Sequence, residues 1–177
     1  MVLYGFQNKK PKIAKTALIS PDAILIGDVT VGEQSSIWGG VVIRALNAKI
    51  SIGESTNIQE NVVITTIGKQ KTVIGNNVTI FPGVTITSAR ISDDVSIGTG
   101  STLLPNSVLS LACEVGPMTL VTQRLQIPPS SYVIGVPGRV LRKLPSTKIH
   151  QNRNYAKAMK AAAEKIFGKI EGSDFTE

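Results

Sequence analysis

Aliphatic residues recur at every sixth position of this chain. From Ile19 the series runs through Leu25, Val31 and Ile37 to Ile43. It resumes after a slip at Ile52, Ile58 and Ile64, and again at Ile74, Ile80 and Ile86. A last run goes from Ile91 through Ile97, Leu103, Leu109, Val115, Val121 and Ile127 to Val133. All nineteen positions are Ile, Leu or Val, although these types supply only 50 of 177 residues. An α-helix would place apolar residues at a spacing of ~3.6, and a flat strand would alternate every two. Period six fits a chain that lays down a short strand, turns a corner and repeats. Three such units close a triangular coil with every aliphatic pointing inward. Coils then stack through parallel hydrogen bonds ~4.8 Å apart, and each buries its face only against its neighbours. About six coils fit between residues 19 and 135.

A second series runs two positions earlier: Ala23, Val29, Ser35 and Val41, then Val78, Val84, Ala89, Val95, Ser101, Ser107, Cys113 and Thr119. These small or β-branched residues mark the corners. The phase breaks at RALNAKIS (44–51) and TTIGKQK (65–71) predict loops that leave the prism, and loops on a rigid scaffold are where sites usually form. From Pro145 the period changes. Ile149, Tyr155, Ala156, Met159, Ala163, Ile166 and Phe167 fall at helical spacing, with Ser146 as N-cap and Gly168 as C-cap. The expected architecture is an all-β solenoid with one C-terminal α-helix. Residues 1–144 form an N-terminal arm and the β-helix; 145–177 form a helix and tail packed on an outer face.

The formal net charge of +7 is unevenly placed. Residues 16–138 hold 6 Lys and Arg against 8 Asp and Glu. The excess sits in Lys9, Lys10, Lys12 and Lys15 and in the segment after Gly138. It reads as a solvated arm and helix face. No basic patch interleaved with aromatics suggests nucleic-acid binding. Cys113 is the only cysteine and reads as a corner-filling residue, so no intrachain disulfide forms. No run reaches the ~18 apolar residues of a membrane span. The opening MVLYGFQNKK lacks the apolar region of a signal peptide. A cytoplasmic location is expected.

Three segments add specificity to the repeat: SIWGGVVIRALN (36–47), TNIQENVVI (56–64) and IGVPGRVLRKL (134–144). Together they resemble the gamma-class carbonic anhydrase family, a branch of the left-handed β-helix hexapeptide-repeat superfamily. The likeness covers about residues 12 to 165. It implies a left-handed parallel β-helix, a homotrimer, and a C-terminal helix running back along the prism. Family members that hydrate carbon dioxide hold zinc through three histidines at the subunit interface. The matching positions here are Thr65, Pro82 and Thr87. None is a histidine, and a catalytic zinc needs three N, S or carboxylate ligands. No zinc and no other cofactor is therefore expected. His150, the single histidine, lies outside the coils. A further departure is Arg44-Ala45-Leu46, where the family has Arg-Gly-Asp; the carboxylate that pairs the arginine across subunits is missing.

The polar residues left around such a site are Arg44, Asn57, Gln59 and Glu60, and none is assigned a catalytic role. In active relatives the residue matching Gln59 helps orient zinc-bound water. Three functional readings follow. The first is a non-catalytic trimeric scaffold or assembly protein, with the basic helix as a docking face for an acidic partner. The second is a hexapeptide-repeat acyltransferase or thioesterase with coenzyme A in the groove between subunits, for which Glu60 is the nearest base. The third is a metal-free binder of bicarbonate or another small anion, held by Arg44. The first is preferred.

Overall fold

The computed structural model describes residues 1–167; Gly168, the expected helix C-cap, and the tail after it lie outside the described residues. The chain coils as a parallel β-solenoid of about seven turns, followed by a single C-terminal helix, and matches left-handed hexapeptide-repeat β-helices. Its cross-section has three faces. The first carries Val63–Thr65, Thr85–Thr87, Thr102–Leu103 and Leu120–Val121. The second carries Thr72–Ile74, Arg90–Ile91, Val108–Leu109 and Gln126–Ile127. The third runs from Leu18–Ile19 through Ser36–Ile37, Asn57–Ile58, Thr79–Ile80, Ser96–Ile97 and Glu114–Val115 to Ser131–Gly135. Gly138–Lys143 folds back antiparallel on the last of these.

The six-residue series becomes three aliphatic columns. On the first face Leu25, Ile43, Ile64, Ile86, Leu103 and Val121 are direct register partners from turn to turn. On the third face Ile19, Ile37, Ile58, Ile80, Ile97, Val115 and Val133 do the same. Every member of the series except the partly buried Ile19 is buried in one continuous core. Burying each such side chain is worth about 1.5–3 kcal/mol. The corner series is buried too. At several members the backbone turns one residue before: Gln34, Asn77, Asp94 and Asn106 have φ between 54° and 62°. Asn and Asp adopt this left-handed conformation more readily than most residues.

The six coils expected between residues 19 and 135 are present, and the N-terminal arm adds a further turn, about seven in all. Val2–Tyr4 pairs with Ile24–Ile26, and Lys12–Ile13 pairs with Thr30 and Val31. A tight reversal between Phe6 and Lys9 breaks the six-residue spacing there. The first phase break is not an open loop. Residues 44–51 belong to one long strand, Val42–Ile52, which runs around the edge from the first face to the second. Its extra residues form a bulge against Ile24–Val31, between the pairs Gly27–Ala45 and Val29–Ile50. The second break is a projecting loop, closed by Ile67 and Gln70 and turned at Gly68 (φ 54°).

The helix, Thr147–Phe167, directly follows Ser146 and lies along the third face. The helix docks through small and polar residues as well as through its aromatics. Its buried residues are Asn152, Ala156 and Ala163, whereas Tyr155 and Ile166 are exposed. Small residues let it approach closely, and polar contacts fix it. Asn152 Nδ2 donates to the Asp94 carbonyl at 2.9 Å. The Arg153 guanidinium makes a two-pronged contact with the Asp94 carboxylate at 2.7 and 2.8 Å, which favours the charged guanidinium. Lys148 pairs with Glu114 at 2.8 Å. Phe81 packs on Tyr155, and Trp38 meets Phe167 edge-on, each at 5.3 Å between centroids. Among the described residues no helix is long and apolar enough to cross a membrane.

Candidate functional site

Thr65 and Thr87 end equivalent strands on adjacent turns of the first face and are register partners. Their hydroxyls lie 3.2 Å apart and hydrogen-bond to each other. Arg44 is the register partner of Thr65 on the other side. Arg44, Thr65 and Thr87 therefore form one column where the first face meets the second. Pro82 is elsewhere. Gly83 N donates to the Glu60 carbonyl and Gly100 N to the Pro82 carbonyl, so Glu60 and Pro82 stack at the opposite edge, between the third and first faces. Five residues of extended chain separate Pro82 from Thr87, roughly 15 Å. The chain brings Thr65 and Thr87 together and holds Pro82 at the opposite edge of the first face.

The donor set does not fit zinc. Two neutral hydroxyls already satisfy each other, and proline has no side-chain donor; the ligands of protein zinc sites are thiolate, imidazole and carboxylate. Among the described residues no group of three or more His, Cys, Asp or Glu could hold a metal ion.

The remaining candidates are divided. Asn57 and Gln59 lie on the third face beneath the helix and are buried. Asn57 Oδ1 accepts from Ser36 Oγ at 2.9 Å and from Trp38 Nε1 at 2.8 Å. Gln59 Nε2 donates to the Tyr155 hydroxyl at 3.0 Å. Both side chains are engaged in structure, away from Thr65. Glu60 stands at the edge with Pro82, and the exposed Arg44 at the far edge of the first face. Cys113 is fully buried, and its thiol donates to the Pro128 carbonyl at 3.0 Å. Burial pushes that thiol up. His150 is exposed on the helix.

Charge is segregated around the prism. Arg44, Lys49, Lys69, Lys71, Arg90 and Arg124, all the cations of residues 16–138, lie along or beside the edge between the first and second faces. Of the acids, only Asp28 is on that edge, paired with Lys9 at 2.8 Å. Glu33, Glu54, Asp93 and Asp94 occupy the edge between the second and third faces, and Asp22 and Glu60 the edge between the third and first. Hydrogen bonds from the Ser20 hydroxyl, the largest influence, and from Gly40 N hold the Asp22 carboxyl below its ordinary value.

Sequence reasoning missed Ser88, which fixes the projecting loop. Ser88 is buried; its hydroxyl accepts from Ile67 N at 2.8 Å and donates to the Gln70 carbonyl at 2.9 Å. Thr72 Oγ1 ties the base of the loop to the Thr65 carbonyl at 2.8 Å. The signal lay in the short phase step from Ile86 to Ile91, which places a hydroxyl under the loop.

No family model matches the chain. Individual relatives do. A Methanocaldococcus jannaschii protein named "Probable carbonic anhydrase" is 42% identical over 137 residues, covering 77% of this chain and 86% of that protein. "Gamma carbonic anhydrase 2, mitochondrial" of Arabidopsis thaliana is 36% identical over 148 residues, 80% of this chain. The chain spans about half the length of that plant relative, 53%. Among solved structures, the product of the BC4754 gene of Bacillus cereus superposes with a TM-score of 0.92 at 29% identity, covering 95% of this chain and 98% of the other. With its solenoid, its TNIQ strand and its closing hairpin, the chain belongs to the gamma-class carbonic anhydrase-like family of hexapeptide-repeat β-helix proteins.

Proposed function

We propose that this chain is a homotrimeric scaffold or assembly protein that keeps the gamma-class frame without carbon dioxide hydration. The observation that carries the reading is the Thr65–Thr87 hydroxyl pair, with Pro82 at the third position. A metal lowers the pKa of bound water towards neutrality and stabilises developing charge; neutral hydroxyls and an amide do neither. The trimer is supported by the placement of the three positions on opposite edges of one face. It is supported also by charge, because the cationic edge bearing Arg44 complements the edge bearing Asp22 and Glu60. In this reading Glu60 of one protomer offers Arg44 of the next the carboxylate that the Ala45-Leu46 segment lacks. The helix is a weaker docking face than its sequence suggests, since Lys148, Arg153 and Lys160 pair within the chain. The test pairs light scattering with a carbon dioxide hydration assay. A mass of three chains without hydration above background supports the reading; a monomer, or hydration above background, overturns it.

One observation favours a second reading. The BC4754 product is named provisionally as an acetyltransferase. An acyl-coenzyme A that binds the native state must raise the melting temperature; no rise with acetyl-coenzyme A in excess removes this alternative.

A further inference from the structure

We propose that the hollow on the second face, beneath the loop of residues 66–71, is a binding site for a small phosphate ester. The hollow has a volume of about 580 Å³, within the ~300–1,000 Å³ typical of small-molecule sites. Three of the six cations in residues 16–138 line it: Lys69, Lys71 and Arg90. No Asp or Glu is among its lining residues, and none of the three cations forms an ion pair among the described residues.

Three like charges gathered around one concavity repel each other, and an anion in their midst relieves that repulsion. The loop that presents Lys69 and Lys71 is not free to swing them apart. Ser88 holds its two ends and Thr72 its base, so part of the ordering cost of binding is already met in the fold. Arg90 lies in the floor, in register between Val73 and Val108. Its planar fork suits the paired oxygens of a phosphate, and charge-assisted bonds of this kind are about twice as strong as neutral ones. The two valines, both lining the hollow, give an apolar surface beside the charges, against which the body of an ester can lie. Asn106 adds a neutral polar group. Arg44 stands on the same edge but does not line the hollow, whose lining residues all come from one chain, and the site requires no metal. Its failure is therefore distinguishable from failure of the scaffold reading.

The experiment is isothermal titration of the full-length protein with adenosine diphosphate and with inorganic pyrophosphate, at low and physiological salt. Wild type is expected to bind both, the ester more tightly. Lys69→Gln/Lys71→Gln lies on an exposed loop and keeps the fold; Arg90→Gln is the second variant. Each is expected to weaken binding about tenfold or more, the equivalent of 1.4 kcal/mol. Lys157→Gln/Lys165→Gln, which removes the same charge from the helix, is expected to leave it unchanged. Absence of binding by either probe overturns the site. Equal weakening by the helix variant reduces it to diffuse charge, and pyrophosphate binding without adenosine diphosphate binding rules out an ester.

Discussion

The Thr65 and Thr87 hydroxyls lie 3.2 Å apart on adjacent turns, each the other's hydrogen-bond partner. Register alone brings them together. The resemblance to gamma-class carbonic anhydrases matches these two positions, and Pro82 at the opposite edge, to zinc histidines. We read the arrangement as the frame of a metal site without its ligands.

The frame can be refilled. Thr65→His, Pro82→His and Thr87→His in combination are expected to confer zinc binding, one ion per subunit interface, because a catalytic zinc needs three protein ligands. No single substitution is expected to do so. Zinc content by mass spectrometry reads the result, and a triple variant that stays metal-free would mean the three positions do not meet across chains.

The aliphatic columns carry the stability. Ile64 is fully buried in the middle of the first-face column, so Ile64→Ala is expected to destabilise the fold by about 2–5 kcal/mol. Ile67, exposed on the projecting loop, is expected to tolerate Ser within about 0.5 kcal/mol. Chemical denaturation of the two variants measures both, and equal effects would contradict the assigned inside and outside.

Helix docking has its own reporter. Asn152→Ala leaves the Asp94 carbonyl without its side-chain donor and is expected to cost about 1–3 kcal/mol. Trp38 sits beneath the helix, 5.3 Å from Phe167. Its fluorescence should shift red at lower denaturant in the variant than in wild type. An unchanged midpoint would show that the Asn152 contact does not hold the helix.

Cys113 is expected to resist alkylation in the native protein and to react only on unfolding, since its thiol is fully buried and burial raises its pKa. Mass spectrometry after brief exposure to a maleimide checks this. Rapid native labelling would place the thiol at an accessible surface.

The core was readable because each aliphatic of the six-residue series meets its own kind one turn away. The corners were half readable. Asn61, Asn77 and Asp94 are residue types that accept positive φ, but Met118 and Arg124 adopt it as well, and nothing local in those side chains announces it. The first turn was hidden because Phe6 to Lys9 reverse the chain and break the spacing. The site was less legible than the fold. Gln59 bonds to Tyr155, 96 positions away, a pairing that no local pattern encodes. Asn57 likewise serves Trp38 and Ser36 beneath a helix whose docking the repeat does not determine.

The central claim is most directly tested by the metal content of protein purified without a histidine tag, before and after dialysis against zinc. The account predicts substoichiometric metal in both samples. One zinc per subunit interface, retained through gel filtration, would contradict it and would mean that neighbouring chains assemble a ligand set that Thr65, Pro82 and Thr87 do not supply.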